Sequence, residues 1–129
     1  MTMRVLVIDD DESIRSAIDA LLHRETCETV LAANARQGIL EVEAQRFDIA
    51  MVDIFMPGMN GLEAIKDIRR IAPDLPIVAM SGFRFRGDGP AKPDFLKIAA
   101  DLGATHCLSK PFGPQQLLAA ISACLPKAA

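Results

Sequence analysis

Five short apolar runs alternate with five segments of helical spacing, and this order predicts an α/β fold with a parallel sheet covered on both faces. Two further observations support it. The runs VLVI (Val5–Ile8) and IAMV (Ile49–Val52) are apolar without a break, as strands buried on both sides must be. The chain has 129 residues, 50% hydrophobic and 24% charged, which suits one folded core of ordinary size.

The elements follow in order. The first strand is read at Arg4–Ile8. Ile14, Ile18, Leu21 and Leu22 then form one helical stripe, with Asp11 or Ser13 available as its N-cap. A second strand is read at Thr29–Ala33, and Asn34 caps a helix running to Gln45. The third strand is Ile49–Asp53. After it the loop PGMNG (Pro57–Gly61) leads into the stripe Leu62, Ile65, Ile68 and Arg69. The fourth strand is Ile77–Ser81, with a helix starting at Pro93 and ending near Gly103. The fifth is His106–Ser109. Gly113-Pro114 then introduces the stripe Leu117, Ile121, Cys124 and Leu125, with proline at the first helical position. The Gly82–Asp94 connection departs from this economy, since about two to six residues are usual there.

Composition excludes several classes. The formal net charge is −3 and Lys and Arg form no long run, so a nucleic-acid footprint is not expected. Acids interrupt the first apolar stretch after Ile8, which argues against a signal peptide, and no stretch reaches the roughly 18 apolar residues of a membrane span. Cys27, Cys107 and Cys124 are scattered, which fits free thiols in a reduced cytoplasmic setting. Residues 1–129 read as one domain.

In such sheets ligands gather at the carboxyl ends of the strands. Those ends carry Asp9 and Asp10, Asp53, Ser81 and Lys110. Crowded acids repel one another unless a cation is expected among them. Mg²⁺ is held by one or two carboxylates with water and phosphate oxygens, so Asp9, Asp10 and Asp53 suit it. A carboxylate also serves as nucleophile toward a phosphoryl group, whose oxygens Ser81 and Lys110 would bind.

At these residues the chain resembles a response-regulator receiver domain of two-component signalling, from Val5 to Leu125. The matching features are VIDD after the first strand, VDIFMPGMNG after the third, MSG after the fourth and KPF after the fifth, all in order. The resemblance implies a flavodoxin-like, three-layer, doubly wound sheet of five parallel strands in the order 2-1-3-4-5. It implies that Asp53 accepts a phosphoryl group from a phosphohistidine on a sensor histidine kinase or histidine phosphotransfer protein. Asp10 and Asp53 would ligate Mg²⁺ directly, Asp9 through water, and the backbone carbonyl of Phe55 would complete the set. Ser81 would move toward the phosphoryl group, Lys110 would pair with it, and the Lys110–Pro111 peptide would be cis.

The chain departs from the family at three places. Cys107 stands where a switching aromatic is usual, and its simpler reading is a small buried hydrophobe. Phe55 and Phe83 lie two residues beyond Asp53 and Ser81, where polar residues often help orient water, so slow self-dephosphorylation is expected. The long Gly82–Asp94 connection reads equally as a partner-recognition loop and as a surface insertion.

Other residues read as structural. Asp11, Glu12 and Ser13 suit a helix start, and Asp48 lies at the opposite end of the sheet from the acids. His23 with Cys27 and His106 with Cys107 do not make a zinc set, and Arg86–Asp88 is a chance RGD.

The expected function is a phosphorylation switch whose fourth helix, fifth strand and fifth helix repack to bind a downstream protein. Few residues follow Lys110, so output would come through a partner, or the chain is an excised piece of a longer regulator or hybrid kinase. A phosphorylation-independent receiver acting through residues 82–94 is a further alternative. A haloacid-dehalogenase-type phosphatase would need a second acid at position 55, where Phe55 stands. A flavodoxin-like cofactor binder would need a phosphate loop where the acids are.

Overall fold

The computed structural model describes residues 3–25, 27–55, 61–82 and 95–124. Its strands are β1 (Met3–Ile8), β2 (Cys27–Ala32), β3 (Ile49–Asp53), β4 (Ile77–Gly82) and β5 (His106–Lys110). Alternating with them are α1 (Glu12–Arg24), α2 (Ala35–Ala44), α3 (Gly61–Ile71), α4 (Phe95–Leu102) and α5 (Pro114–Cys124). The strands pair in parallel in the order β2-β1-β3-β4-β5, the doubly wound order expected from the resemblance.

Side-chain alternation along each central strand builds two cores. Leu6 and Ile8 of β1, Ala50 and Val52 of β3, and Ile77 and Ala79 of β4 face one way, against Val42 of α2, Ile65 and Ile68 of α3 and Ala99 of α4. Val5, Val7, Ile49, Met51, Val78 and Met80 face the other way, against Ile18 and Leu22 of α1 and Leu117 and Ile121 of α5. With both faces covered, every position of these runs must be apolar. Each fully buried Leu, Ile or Val contributes about 1.5–3 kcal/mol. The edge strands β2 and β5 mix buried and exposed positions, and their sequences CETVLA and HCLSK are correspondingly mixed.

Local signals set the helix ends. Asp11 caps α1, its Oδ1 accepting from the N–H groups of Ser13 at 2.9 Å and Ile14 at 3.4 Å, while Ser13 lies inside the first turn. The Ser13 hydroxyl and then its N–H hold the Asp11 carboxyl below the ordinary carboxylate range. Asn34 caps α2 by accepting from Gln37 N–H at 2.8 Å. α4 ends at Gly103, whose φ of 120° suits a residue without a Cβ. The described part of α4 begins at Phe95, and the expected start at Pro93 lies outside the described residues, as do most of PGMNG, the RGD, and Leu125.

Several strand ends shift by one residue from the sequence reading, and two details differ further. β2 begins at Cys27, two positions before Thr29. Arg69 is not part of the buried stripe of α3, which comprises Gly61, Ala64, Ile65 and Ile68. Its guanidinium instead donates to the carbonyls of Ala72, Pro73, Leu75 and Gly103 at 2.6–3.3 Å, tying the α3–β4 and α4–β5 connections together. Among the described residues no helix is long and apolar enough to cross a membrane.

Candidate functional site

Strand order decides where a site can form. From β1 the chain turns outward to β2, and from β3 it turns the other way to β4, so the crevice lies between the carboxyl ends of β1 and β3. Asp9 and Asp10 follow β1 and Asp53 ends β3. Among the described residues, the buried polar or charged side chains are Asp9, Asp53 and Ser81, at 0%, 4% and 5% exposure, all on this rim. Asp10 is exposed above them.

The buried acids are held by definite partners. Asp9 accepts from the Asp11 N–H on Oδ1 at 2.9 Å and from Lys110 Nζ on Oδ2 at 2.6 Å. Asp53 accepts from the Phe55 N–H on Oδ1 at 3.0 Å and from Lys110 Nζ on Oδ2 at 3.4 Å. Lys110 ends β5 opposite Gly82, so its ammonium reaches across the rim to both acids. Burial pushes the Asp53 carboxyl up to about 6, helped by the charge of Asp9 and opposed by the Phe55 N–H and Lys110.

The approach of α3 to this rim depends on a missing side chain. A Cβ on Gly61 would stand 2.2 Å from the Asp53 carbonyl oxygen and 2.4 Å from Ile54 Cα. Glycine therefore lets the first turn of α3 close over the end of β3.

One carboxylate oxygen from each of Asp9, Asp10 and Asp53 lies within 4.8 Å of the other two. Three carboxylates against the Lys110 ammonium and the guanidinium of Arg15, which reaches the Asp9 carbonyl, leave one surplus negative charge when all are ionised (3 − 2 = 1). Hard oxygen donors at that spacing, with charge to spare, fit a Mg²⁺-sized cation. Among the described residues no other group of three His, Cys, Asp or Glu side chains converges in this way, and His23, Cys27, His106 and Cys107 do not.

The remaining expected residues divide. Ser81 is buried on β4 beside Ser109 in register. Cys107 is half-buried, paired in register with Ala79, and packs on the core that α4 covers. The Phe55 ring is partly buried against that same core, so part of it packs rather than facing the rim. Phe83 and residues 83–94 lie outside the described residues. The Lys110–Pro111 peptide is cis, as expected. Arg15, given no role from the sequence, donates from Nη1 to the Asp9 carbonyl at 2.8 Å. Its signal was a cation one turn after the N-cap of the helix that follows the acids.

Fold and rim together define a signalling receiver, and comparison with known proteins agrees. Residues 5–122 match the family described as response regulator receiver domain, and the chain belongs to that family. It is 31% identical over 125 residues to the DNA-binding response regulator MtrA of Mycobacterium tuberculosis, covering 95% of this chain and 50% of MtrA. The chain thus spans about half the length of such curated relatives. It is 27% identical over 126 residues to sporulation initiation phosphotransferase F of Bacillus subtilis, covering 98% of this chain and 96% of that protein. Among solved structures it resembles a response regulator from Burkholderia pseudomallei described with a phosphorylated aspartic acid, a calcium ion and citrate. The TM-score is 0.78 at 26% identity, over 92% of this chain and 65% of the other.

Proposed function

We propose that this receiver is a phosphoacceptor whose Asp53 takes a phosphoryl group from a phosphohistidine on a sensor histidine kinase or histidine phosphotransfer protein. The observation that carries this reading is the buried Asp53 carboxylate, flanked by Lys110 and by two further acids. An Asp53 oxygen attacks phosphorus, the P–N bond to the partner imidazole breaks, and the imidazole leaves with its electron pair and takes up a proton. With Asp53 titrating at about 6, the nucleophilic carboxylate predominates at neutral pH. Phe55 N–H fixes one of its oxygens.

Asp10 and Asp53, with the Phe55 carbonyl, would hold Mg²⁺ directly, and Asp9 would act through water. When bound, the ion supplies charge neutralisation for the phosphoryl oxygens. Lys110 exchanges its carboxylate partners for the phosphoryl group, and Ser81 donates to it from β4. The added charge biases α4, β5 and α5 toward a state that binds a downstream protein, with Cys107 giving β5 a small side chain at the usual aromatic position. The partners and the switch belong to the cytoplasm, with no part for direct nucleic-acid contact or membrane insertion in this unit.

A second reading is supported by the half-length match to DNA-binding regulators: the chain is the receiver of a larger protein whose output lies beyond it. The site chemistry is the same in both readings.

Intact-mass spectrometry after Mg²⁺ and acetyl phosphate tests the assignment, with Asp53→Asn alongside. One added phosphoryl group is expected in the wild type and none in the variant. Slow decay of the adduct is expected from Phe55 and Phe83. Unmodified wild type despite bound Mg²⁺ would contradict the phosphoacceptor reading and favour a phosphorylation-independent receiver acting through residues 82–94.

A further inference from the structure

α1 brings one more side chain to the acidic rim. Arg15 is half-buried, four residues after the N-cap Asp11, and its guanidinium turns back to the Asp9 carbonyl at 2.8 Å. That carbonyl belongs to the peptide joining Asp9 to Asp10. The peptide is planar, so an anchor on its oxygen fixes the direction in which the Asp10 Cα leaves it.

The two acids need this anchor unequally. Asp9 is held at its N–H by the Ala32 carbonyl at 3.1 Å and at both carboxylate oxygens by Asp11 N–H and Lys110. Asp10 is exposed, yet one of its oxygens lies within 4.8 Å of those of Asp9 and Asp53. Repulsion from the two other carboxylates pushes this solvent-facing group outward, and a loose Asp9–Asp10 peptide would let the Asp10 Cα move with it. The Arg15 bond to the Asp9 carbonyl supplies the hold on that peptide.

We propose that Arg15 is a positioning residue, fixing the Asp9–Asp10 peptide so that the Asp10 carboxylate stays aimed at the divalent-cation site. The inference rests on the metal-dependent phosphoacceptor reading above and deepens it. Simple electrostatics predicts the opposite effect of removing Arg15, because a guanidinium near three carboxylates repels an incoming cation. The sign of the change in metal affinity therefore separates positioning from charge.

The test is Mn²⁺ binding to the full chain, read from the free-ion electron paramagnetic resonance signal, with Mg²⁺ competition to confirm the site. Mn²⁺ shares the preference for carboxylate and water ligands. Arg15→Met is expected to weaken binding about 10-fold, in the range for residues that orient metal ligands. Arg15→Lys, which keeps the charge and one donor, is expected to recover part of the loss. Circular dichroism melts check that each variant is folded at the titration temperature, and Arg15→Gln replaces Arg15→Met if the latter does not fold. Affinity that is unchanged or tighter in the folded neutral variant overturns the inference while leaving the metal reading intact. Absence of competed Mn²⁺ binding in the wild type overturns the metal reading and the inference with it.

Discussion

The two ends of the sheet carry charge in opposite ways. At the amino-terminal end every named charge closes on a partner. Arg4 N–H donates to Asp48 Oδ2 at 2.8 Å, Asp48 N–H returns a bond to the Arg4 carbonyl, and the Arg4 side chain reaches Glu28 and Gln45. Arg69 spreads its donors over four carbonyls nearby. At the carboxyl-terminal end three carboxylates share one lysine, and two of the three are buried. Charges that each find a partner, charged or backbone, hold the connections in place. Charges left in surplus, in a site of low exposure, are arranged for a ligand.

This contrast makes substitutions at the two ends differ in size and then in sign. Lys110→Met is expected to have the largest effect, about 3–5 kcal/mol of lost stability without metal, because it leaves Asp9 and Asp53 buried and unpaired. Urea unfolding with and without Mg²⁺ measures it, and Mg²⁺ should restore part of the loss by binding the folded state. An equal loss with and without saturating Mg²⁺ would separate the lysine from the proposed cation site.

Arg69→Met at the other end is expected to cost about 2–3 kcal/mol, since several carbonyls lose a charged donor together. Mg²⁺ should leave this deficit unchanged, and a Mg²⁺-dependent deficit would blur the division between the ends. The Arg4–Glu28 pair, with side chains 41% and 58% exposed, contributes less than about 1 kcal/mol.

Much of this contrast was legible in the sequence. β1, β3 and β4 were readable because burial on both faces makes them unbroken apolar runs, and the acids and lysine were readable because they follow those runs. β2 was placed two residues late because Cys27-Glu28-Thr29 on a half-exposed edge has no such run. Arg69 fell into an apolar stripe because helical spacing places its stem there. Spacing cannot say that the head group turns to carbonyls in two connections. Arg15 was missed for a related reason: its acceptor is a backbone oxygen, which carries no residue signature. The pairing of Lys110 with Asp9 and Asp53 likewise required the strand order, which brings β5 residues over the crevice.

The surplus at the rim is tested most directly by comparing the metal-free stability of wild type and Asp53→Asn across pH. Burial raises the folded-state carboxyl of Asp53 from 3.8 to about 6. The folded state therefore holds this proton more tightly than the unfolded state, and the wild type loses stability as pH rises through that window. The loss is on the order of 3 kcal/mol and is complete above the folded-state value. Asp53→Asn lacks this titration. The account predicts that above pH 7, without metal, the variant unfolds at higher urea than the wild type, and that its advantage shrinks toward pH 4. A variant less stable than wild type throughout that range would mean that the Asp53 charge is already balanced in the fold, and that the rim is not in surplus.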